Sequence, residues 1–198
     1  MTDSLRSRRK TVVITPEFLS HTLGRLLDGE SILVDEIVTN TPAVLQPYLP
    51  TEPGSYYSYS SGGLGWGLSA AAGIQLARSN ETDVGLLGDG SLMLGDPVVA
   101  LQLVQAYDLL NLWVIFNNRG WQAVGDAIAD QYDDMDFETR PFTQFDGGTE
   151  YADLATRLVH HCEQESDPAG LGEPLARALE AVDGWTHAFV AVRVGEHA

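Results

Sequence analysis

The residues best equipped for chemistry are the carboxylate of Asp89 in Gly88-Asp89-Gly90-Ser91 and the amides of Asn117-Asn118, about thirty residues later. An ionised acid, an amide oxygen and flexible glycine backbone offer oxygen ligands and N–H donors to something small and charged. Such a donor set suits Mg²⁺, which takes six oxygens at about 2.0–2.1 Å and readily shares them with a diphosphate. A Gly-Asp-Gly triplet alone carries little information. Paired with Asn-Asn, and with both motifs at the ends of apolar runs, it defines a site.

Those runs say how the site is positioned. Val84-Gly85-Leu86-Leu87 predicts a buried strand ending in the Gly-Asp-Gly turn, and Leu112-Trp113-Val114-Ile115-Phe116 predicts a second ending in Asn117-Asn118-Arg119-Gly120. Between them Asp96-Pro97 opens a helix with Val98, Leu101, Val104 and Leu109 inward. Both motifs therefore fall at the carboxyl ends of parallel strands, where open α/β sheets bind ligands. Upstream, Thr15-Pro16-Glu17 starts a helix that Gly29 ends. Ile32-Leu33-Val34 is a strand running into Asp35-Glu36, and Thr41-Pro42 starts a helix to about Leu49. Residues 50–61 read as loop with a short strand at 56–59, and 68–77 as a closely packed Ala/Gly helix. Downstream, 121–129 is helical, 130–148 an exposed excursion, 150–161 and 171–182 helices, and 187–194 a last strand. Strands alternating with helices give an α/β, three-layer fold, with a mostly parallel central sheet and helices on both faces. Residues 1–14 read as a flexible N-terminus and 15–198 as a single domain.

Composition narrows the partners. With 28 acids against 11 bases the net charge is −17, and Lys10 is the only lysine. Nucleic acid is a poor partner for such a chain, because phosphate backbones attract Lys and Arg. A lysine-poor, acidic composition fits a halophilic, high-salt setting. Screening tightens from a Debye length of about 10 Å at 0.1 M to about 3 Å at 1 M. The melting temperature should accordingly rise between about 0.1 and 2 M KCl, and a flat or falling curve would contradict this reading. Cys162 stands alone, which fits a reducing, cytoplasmic compartment. Apolar runs are too short for a membrane span, and Arg6, Arg8, Arg9 and Lys10 are not followed by the apolar stretch of a signal peptide.

Other motifs carry less. Gly65-x-Gly67-x-x-Ala70 matches a relaxed dinucleotide fingerprint, but lacks a strand before it and an acid about twenty residues on, so a nucleotide-dependent oxidoreductase is a distant reading. His160-His161-Cys162, placed on a helix, would point its side chains in different directions. Asp133-Asp134-x-Asp136 lacks the turn glycine and terminal glutamate of an EF-hand. Ser91 has no His-Asp arrangement to make it a nucleophile, and suits a phosphate contact better.

The Gly-Asp-Gly-Ser to Asn-Asn pairing resembles the diphosphate-binding domain of thiamine-diphosphate-dependent enzymes. Asp35-Glu36, Pro53-Gly54-Ser55-Tyr56-Tyr57, Gly62-Gly63-Leu64-Gly65 and Gly73-Ile74-Gln75-Leu76-Ala77 extend the resemblance toward the benzoylformate decarboxylase and acetolactate synthase-like branch, over about residues 15 to 195. The resemblance implies the thiamine-diphosphate-binding fold, with thiamine diphosphate and Mg²⁺ as cofactors. It implies that Asp89, the Asn118 side chain and the Gly120 carbonyl hold Mg²⁺ against the diphosphate. Gly88 forms the turn, Gly90 and Ser91 meet phosphate oxygens, and Thr39 adds a hydroxyl. The Gly62 carbonyl accepts from the aminopyrimidine, and Leu64 props the bent cofactor. Ala123 and Val124 line the substrate side, and Val38 replaces a threonine of benzoylformate decarboxylase.

The glutamate that activates the cofactor lies, in that family, on a separate pyrimidine-binding domain, and neither Glu17 nor Glu36 stands in a context to replace it. The expectation is half of an active site: one subunit of an oligomeric 2-oxo acid decarboxylase or acetolactate synthase-like carboligase, completed by a pyrimidine-binding domain on a second chain. The alternative is a non-catalytic or truncated relative that binds cofactor or partner without turnover.

Overall fold

The computed structural model describes residues 13–27, 29–47, 52–132, 142–145 and 150–195. The expected tail at 1–14 lies almost wholly outside them, as do the Arg/Lys run at 6–10 and Asp133-Asp134-x-Asp136. Among the described residues, six strands form one sheet in the order β2-β1-β3-β4-β6-β5, and every pairing is parallel. The strands are β1 (Ile32–Glu36), β2 (Tyr56–Ser58), β3 (Asp83–Gly88), β4 (Asn111–Asn117), β5 (His161–Glu165) and β6 (Ala188–Arg193).

Alternate residues of the central strands feed two apolar layers, because successive side chains of a strand point to opposite faces. Leu112, Val114 and Phe116 of β4, with Val190 and Val192 of β6, pack against α1 (Pro16–Gly24), α2 (Thr41–Leu45) and α8 (Gly172–Asp183). Trp113 and Ile115, with Phe189 and Ala191, face α3 (Gly67–Ala77), α4 (Asp89–Leu94), α5 (Pro97–Ala106) and α7 (Tyr151–Ala155). Helices thus cover both faces, and the central strands read as continuous apolar runs because neither face meets water. No helix among the described residues is long and apolar enough to cross a membrane.

The strand order locates the site. From β1 the chain passes along the first face, through α2, to β2 on one side. From β3 it passes along the second face, through α4 and α5, to β4 on the other. The connections leaving neighbouring β1 and β3 diverge, so a crevice opens at their carboxyl ends. Register brings the ends level: Glu36 lies beside Leu87, Gly88 beside Phe116, and Asn117 beside Arg193. A last helix, α6 (Gln122–Gln131), touches the short 3₁₀ turn Val38–Asn40 that follows β1.

Several sequence expectations need correction. The helix expected over 150–161 is only the short α7, and residues 161–165 form edge strand β5 instead. His-Cys-Glu-Gln-Glu shows no apolar strand pattern, because β5 pairs on one side only and Glu163 uses its outer position for an ion pair with Arg177 of α8. His161-Cys162 therefore sits on a strand, with His161 Nε2 2.9 Å from Glu163 Oε1. The first helix ends at Gly24, not Gly29, because Leu26 and Leu27 both donate to the Leu23 carbonyl in a tightened last turn. The second ends at Leu45. Within the supposed exposed excursion, residues 142–145 return to the fold: Thr143 is buried, and Gln144 bridges to Gly120.

Candidate functional site

A cavity of about 420 Å³ opens at the β1/β3 crevice, within the range of cofactor pockets. All nine residues singled out as binding or metal-ligating candidates line it: Thr39, Gly62, Leu64, Gly88, Asp89, Gly90, Ser91, Asn118 and Gly120. Ala123 and Val124 of α6 line it as well. Four sequence segments spread over eighty residues meet there because four strand ends or loops converge on one crevice.

Asp89 is the centre. It is the first residue of α4, directly after β3, and only 2% exposed. Its Oδ1 accepts from Gly90 N at 3.0 Å and its Oδ2 from Gly120 N at 3.2 Å. The same Gly120 N–H donates to Asn118 Oδ1 at 3.1 Å, so one amide gathers the acid, the amide oxygen and the Gly120 peptide together. Burial pushes the Asp89 carboxyl up to about 6, against the pull of backbone N–H groups at Gly90, Arg119 and Gly120. Among the described residues no lysine or arginine pairs with it. A buried carboxylate without a cation is unfavourable, and a metal ion would relieve it. Asp89, the Asn118 amide and the Gly120 carbonyl are all hard oxygen donors, so the residues present fit Mg²⁺.

The loop carrying Asn118 is braced from three directions. Arg119 takes a left-handed backbone, φ 63°, and its N–H donates to Asn117 Oδ1 at 3.1 Å. Trp121 N donates to the Thr143 carbonyl, and Phe145 N to the Arg119 carbonyl. The Trp121 ring meets Phe145 edge-on at 4.9 Å between centroids. A Cβ on Gly90 would lie 2.5 Å from the Trp121 ring, and one on Gly120 would lie 2.4 Å from the Thr143 carbonyl, so both positions require glycine. Sequence reasoning missed Trp121 and residues 143–145, because their partners are distant in the chain.

The β1 end is held by its own acids. Asp35 Oδ1 accepts from Ile37 N at 2.9 Å, and Oδ2 from the Tyr56 hydroxyl at 2.7 Å. The next residue, Val38, has φ 55°, a conformation costing a β-branched residue on the order of 1–3 kcal/mol and typical of functional sites. This turn carries Thr39 and Asn40 to the cavity wall. Ser91 behaves differently from a free phosphate contact: its hydroxyl donates to the Glu36 carbonyl at 2.8 Å.

Residues 38–192 match the family described as "Thiamine pyrophosphate enzyme, C-terminal TPP binding domain". Benzoylformate decarboxylase of Pseudomonas aeruginosa is 33% identical over 111 residues, covering 56% of this chain and 21% of that protein. Acetolactate synthase isozyme 3 large subunit of Escherichia coli is 30% identical over 185 residues, covering 91% of this chain and 31% of that protein. The chain thus spans a fifth to a third of the length of these relatives. A solved thiamine diphosphate-dependent 4-hydroxybenzoylformate decarboxylase from Rhodococcus jostii superposes with a TM-score of 0.82 at 24% identity, covering 100% of this chain and 36% of that one, which shows a shared fold. Family members use thiamine diphosphate with Mg²⁺. The α/β topology, the crevice and these matches lead to one placement: the chain belongs to the C-terminal thiamine pyrophosphate-binding domains of the thiamine pyrophosphate enzymes.

Proposed function

We propose that this chain binds the Mg²⁺-diphosphate end of thiamine diphosphate and forms half of the active site of a 2-oxo acid decarboxylase or acetolactate synthase-like carboligase. A pyrimidine-binding domain outside these 198 residues completes it. One observation carries the reading: the buried Asp89 carboxylate, which pairs with no lysine or arginine among the described residues and is joined through Gly120 N–H to the Asn118 oxygen at the β1/β3 crevice. When bound, the cofactor supplies a thiazolium carbon that adds to the 2-oxo group and accepts the electrons left by CO₂.

The chain's own residues hold and shape. Asp89, Asn118 and the Gly120 carbonyl ligate the metal, whose charge offsets the repulsion between a diphosphate and a chain of net −17. Gly88, in ordinary extended backbone, would border the diphosphate, Gly90, whose N–H is held by Asp89 Oδ1, would pass close beside it, the Ser91 amide would face it, and Thr39 would contribute a hydroxyl. Elsewhere on the cavity wall the Gly62 carbonyl would accept from the aminopyrimidine, and Leu64 would support the cofactor's rings. Ala123 and Val124 would present an apolar wall to the substrate.

The completing domain would dock on an uncharged surface of α3 and α5, and the sequence there supports that reading. Residues 62–77 and 97–107 carry no charged side chain in a chain with 28 acids and 11 bases. Trp66, Leu94, Val99 and Leu103 are exposed along α3, α4 and α5. An equally acidic partner can approach this face without like-charge repulsion.

Calorimetry with thiamine diphosphate, with and without Mg²⁺, tests the metal site. Asp89→Ala removes a charged partner, and hydrogen bonds or ligands of that kind contribute about 1.5–3 kcal/mol or more, so metal-dependent affinity should fall at least about tenfold. Equal affinity in wild type and variant would remove the metal-site assignment.

A further inference from the structure

We infer that Glu36, a residue outside the cavity wall, is the positioning residue that sets the Gly62–Trp66 arm of the site; this rests on the cofactor reading proposed above. Glu36 is the last residue of β1 and is wholly buried. Its Oε1 accepts from Gly65 N at 2.9 Å and from Trp66 N at 3.0 Å, and its Oε2 from Gly67 N at 2.8 Å. Three successive amides converging on one anion form the concave backbone arrangement that usually captures a ligand's phosphate or carboxylate. Here the anion is supplied from within the chain, twenty-nine to thirty-one residues away.

The local sequence explains why the capture is needed. Trp66 occupies the N-cap of α3 but makes no side-chain capping bond, since an indole N–H can only donate. The first amides of α3 would be orphaned without an acceptor, and a carboxylate at a helix N-terminus is also favoured by the dipole. The arm itself is tightly determined. Gly65 has φ +100°, and a Cβ there would meet the Leu94 carbonyl at 2.6 Å. A Cβ on Gly67 would meet Leu87 at 2.6 Å and Glu36 itself at 2.9 Å. Only with these amides fixed does Leu64, one residue before Gly65, face the cavity at a defined height. Through its own carbonyl, which accepts from Ser91, Glu36 also joins this arm to the first turn of α4. Glu36 thereby ties together, by its side chain on one side and its backbone carbonyl on the other, the two segments that would meet the two ends of the cofactor.

On the cofactor reading the arm would meet only the ring end of the cofactor, and this separates positioning from general stability. Inorganic pyrophosphate with Mg²⁺ probes the metal end alone, and thiamine diphosphate with Mg²⁺ probes both. Calorimetry on the full chain should show both ligands binding the wild type. In Glu36→Gln, which keeps the size but replaces one acceptor oxygen by a donor, thiamine diphosphate should weaken about 10–100-fold, as for residues that orient a ligating group, while pyrophosphate affinity stays unchanged. Glu36→Asp, which keeps the charge but shortens its reach to the Gly65, Trp66 and Gly67 amides, should show the same split and decides the matter if Glu36→Gln does not fold. Unchanged thiamine diphosphate affinity, or parallel loss of both ligands in a folded variant, would overturn the inference. A wild type that binds neither ligand would instead overturn the cofactor reading, and this inference with it.

Discussion

Supplied with Mg²⁺, thiamine diphosphate and a 2-oxo acid such as pyruvate or benzoylformate, the 198-residue chain alone should release CO₂ at a residual rate. Adding a pyrimidine-binding domain should raise that rate by about 10²–10⁴-fold, the usual contribution of a positioned proton-transfer group. The reason lies in what lines the cavity. Among the described lining residues Asp89 is the one carboxylate, and it stands beside Asn118 and Gly120. Glu36, the nearest other acid of β1, has both oxygens occupied by the amides of Gly65, Trp66 and Gly67. Glu17 belongs to the first turn of α1, which packs on the opposite face from α3 and α4. None of these can protonate an aminopyrimidine resting over Gly62 and Leu64. CO₂ release should be followed before and after mixing, at fixed cofactor. Robust release from the isolated chain would falsify the half-site argument. Failure of candidate pyrimidine-binding domains to raise the rate, with cofactor binding intact, would favour the non-catalytic relative instead.

A second large effect is expected far from the site, at Asp83. This first residue of β3 is fully buried, with Oδ1 accepting from Asn111 Nδ2 at 3.1 Å and Oδ2 among the buried oxygens without a hydrogen-bond partner. Burial therefore pushes the Asp83 carboxyl from 3.8 up to about 8, opposed only weakly by the Asn111 bond. The folded chain then holds one more proton than the unfolded chain between those values. The contribution to stability is fully present below pH 3.8 and is lost as pH rises through about 8. One proton changes stability by about 1.4 kcal/mol per pH unit, so several kcal/mol disappear across the window. Asp83→Asn keeps the shape of the neutral acid and cannot ionise. Urea denaturation should find the variant close to wild type at about pH 4 and below, and more stable by several kcal/mol at about pH 9. A difference between the two proteins that stays flat with pH would show that Asp83 is ionised in the folded state.

How much of this was written locally can be judged residue by residue. The runs Leu112 to Phe116 and Val84 to Leu87 each carry a two-face apolar signature, and each ends in a motif whose residue types bind cations. Strand, motif and chemistry therefore lie within one short stretch, and the sequence alone determined the α/β class, the pairing of Asp89 with Asn118, and the resemblance to thiamine-diphosphate domains. Signals that depend on a distant partner were not legible. His161 to Glu165 forms a strand only because β6 offers it an edge, and its own residues are polar. Residues 143–145 read as solvent-exposed, yet Thr143 is buried because Gly120 and Trp121 need backbone partners there. Trp66 looks like an unremarkable helix start, and nothing nearby announces that its cap arrives from Glu36 across the sheet. Ser91 is spelled like a phosphate contact, while its hydroxyl turns back to β1. Local pattern is set by hydration and backbone preference, which each residue carries with it. Which buried donor finds which acceptor is settled only when the strand order brings β1 beside β3, and there the tertiary structure decided.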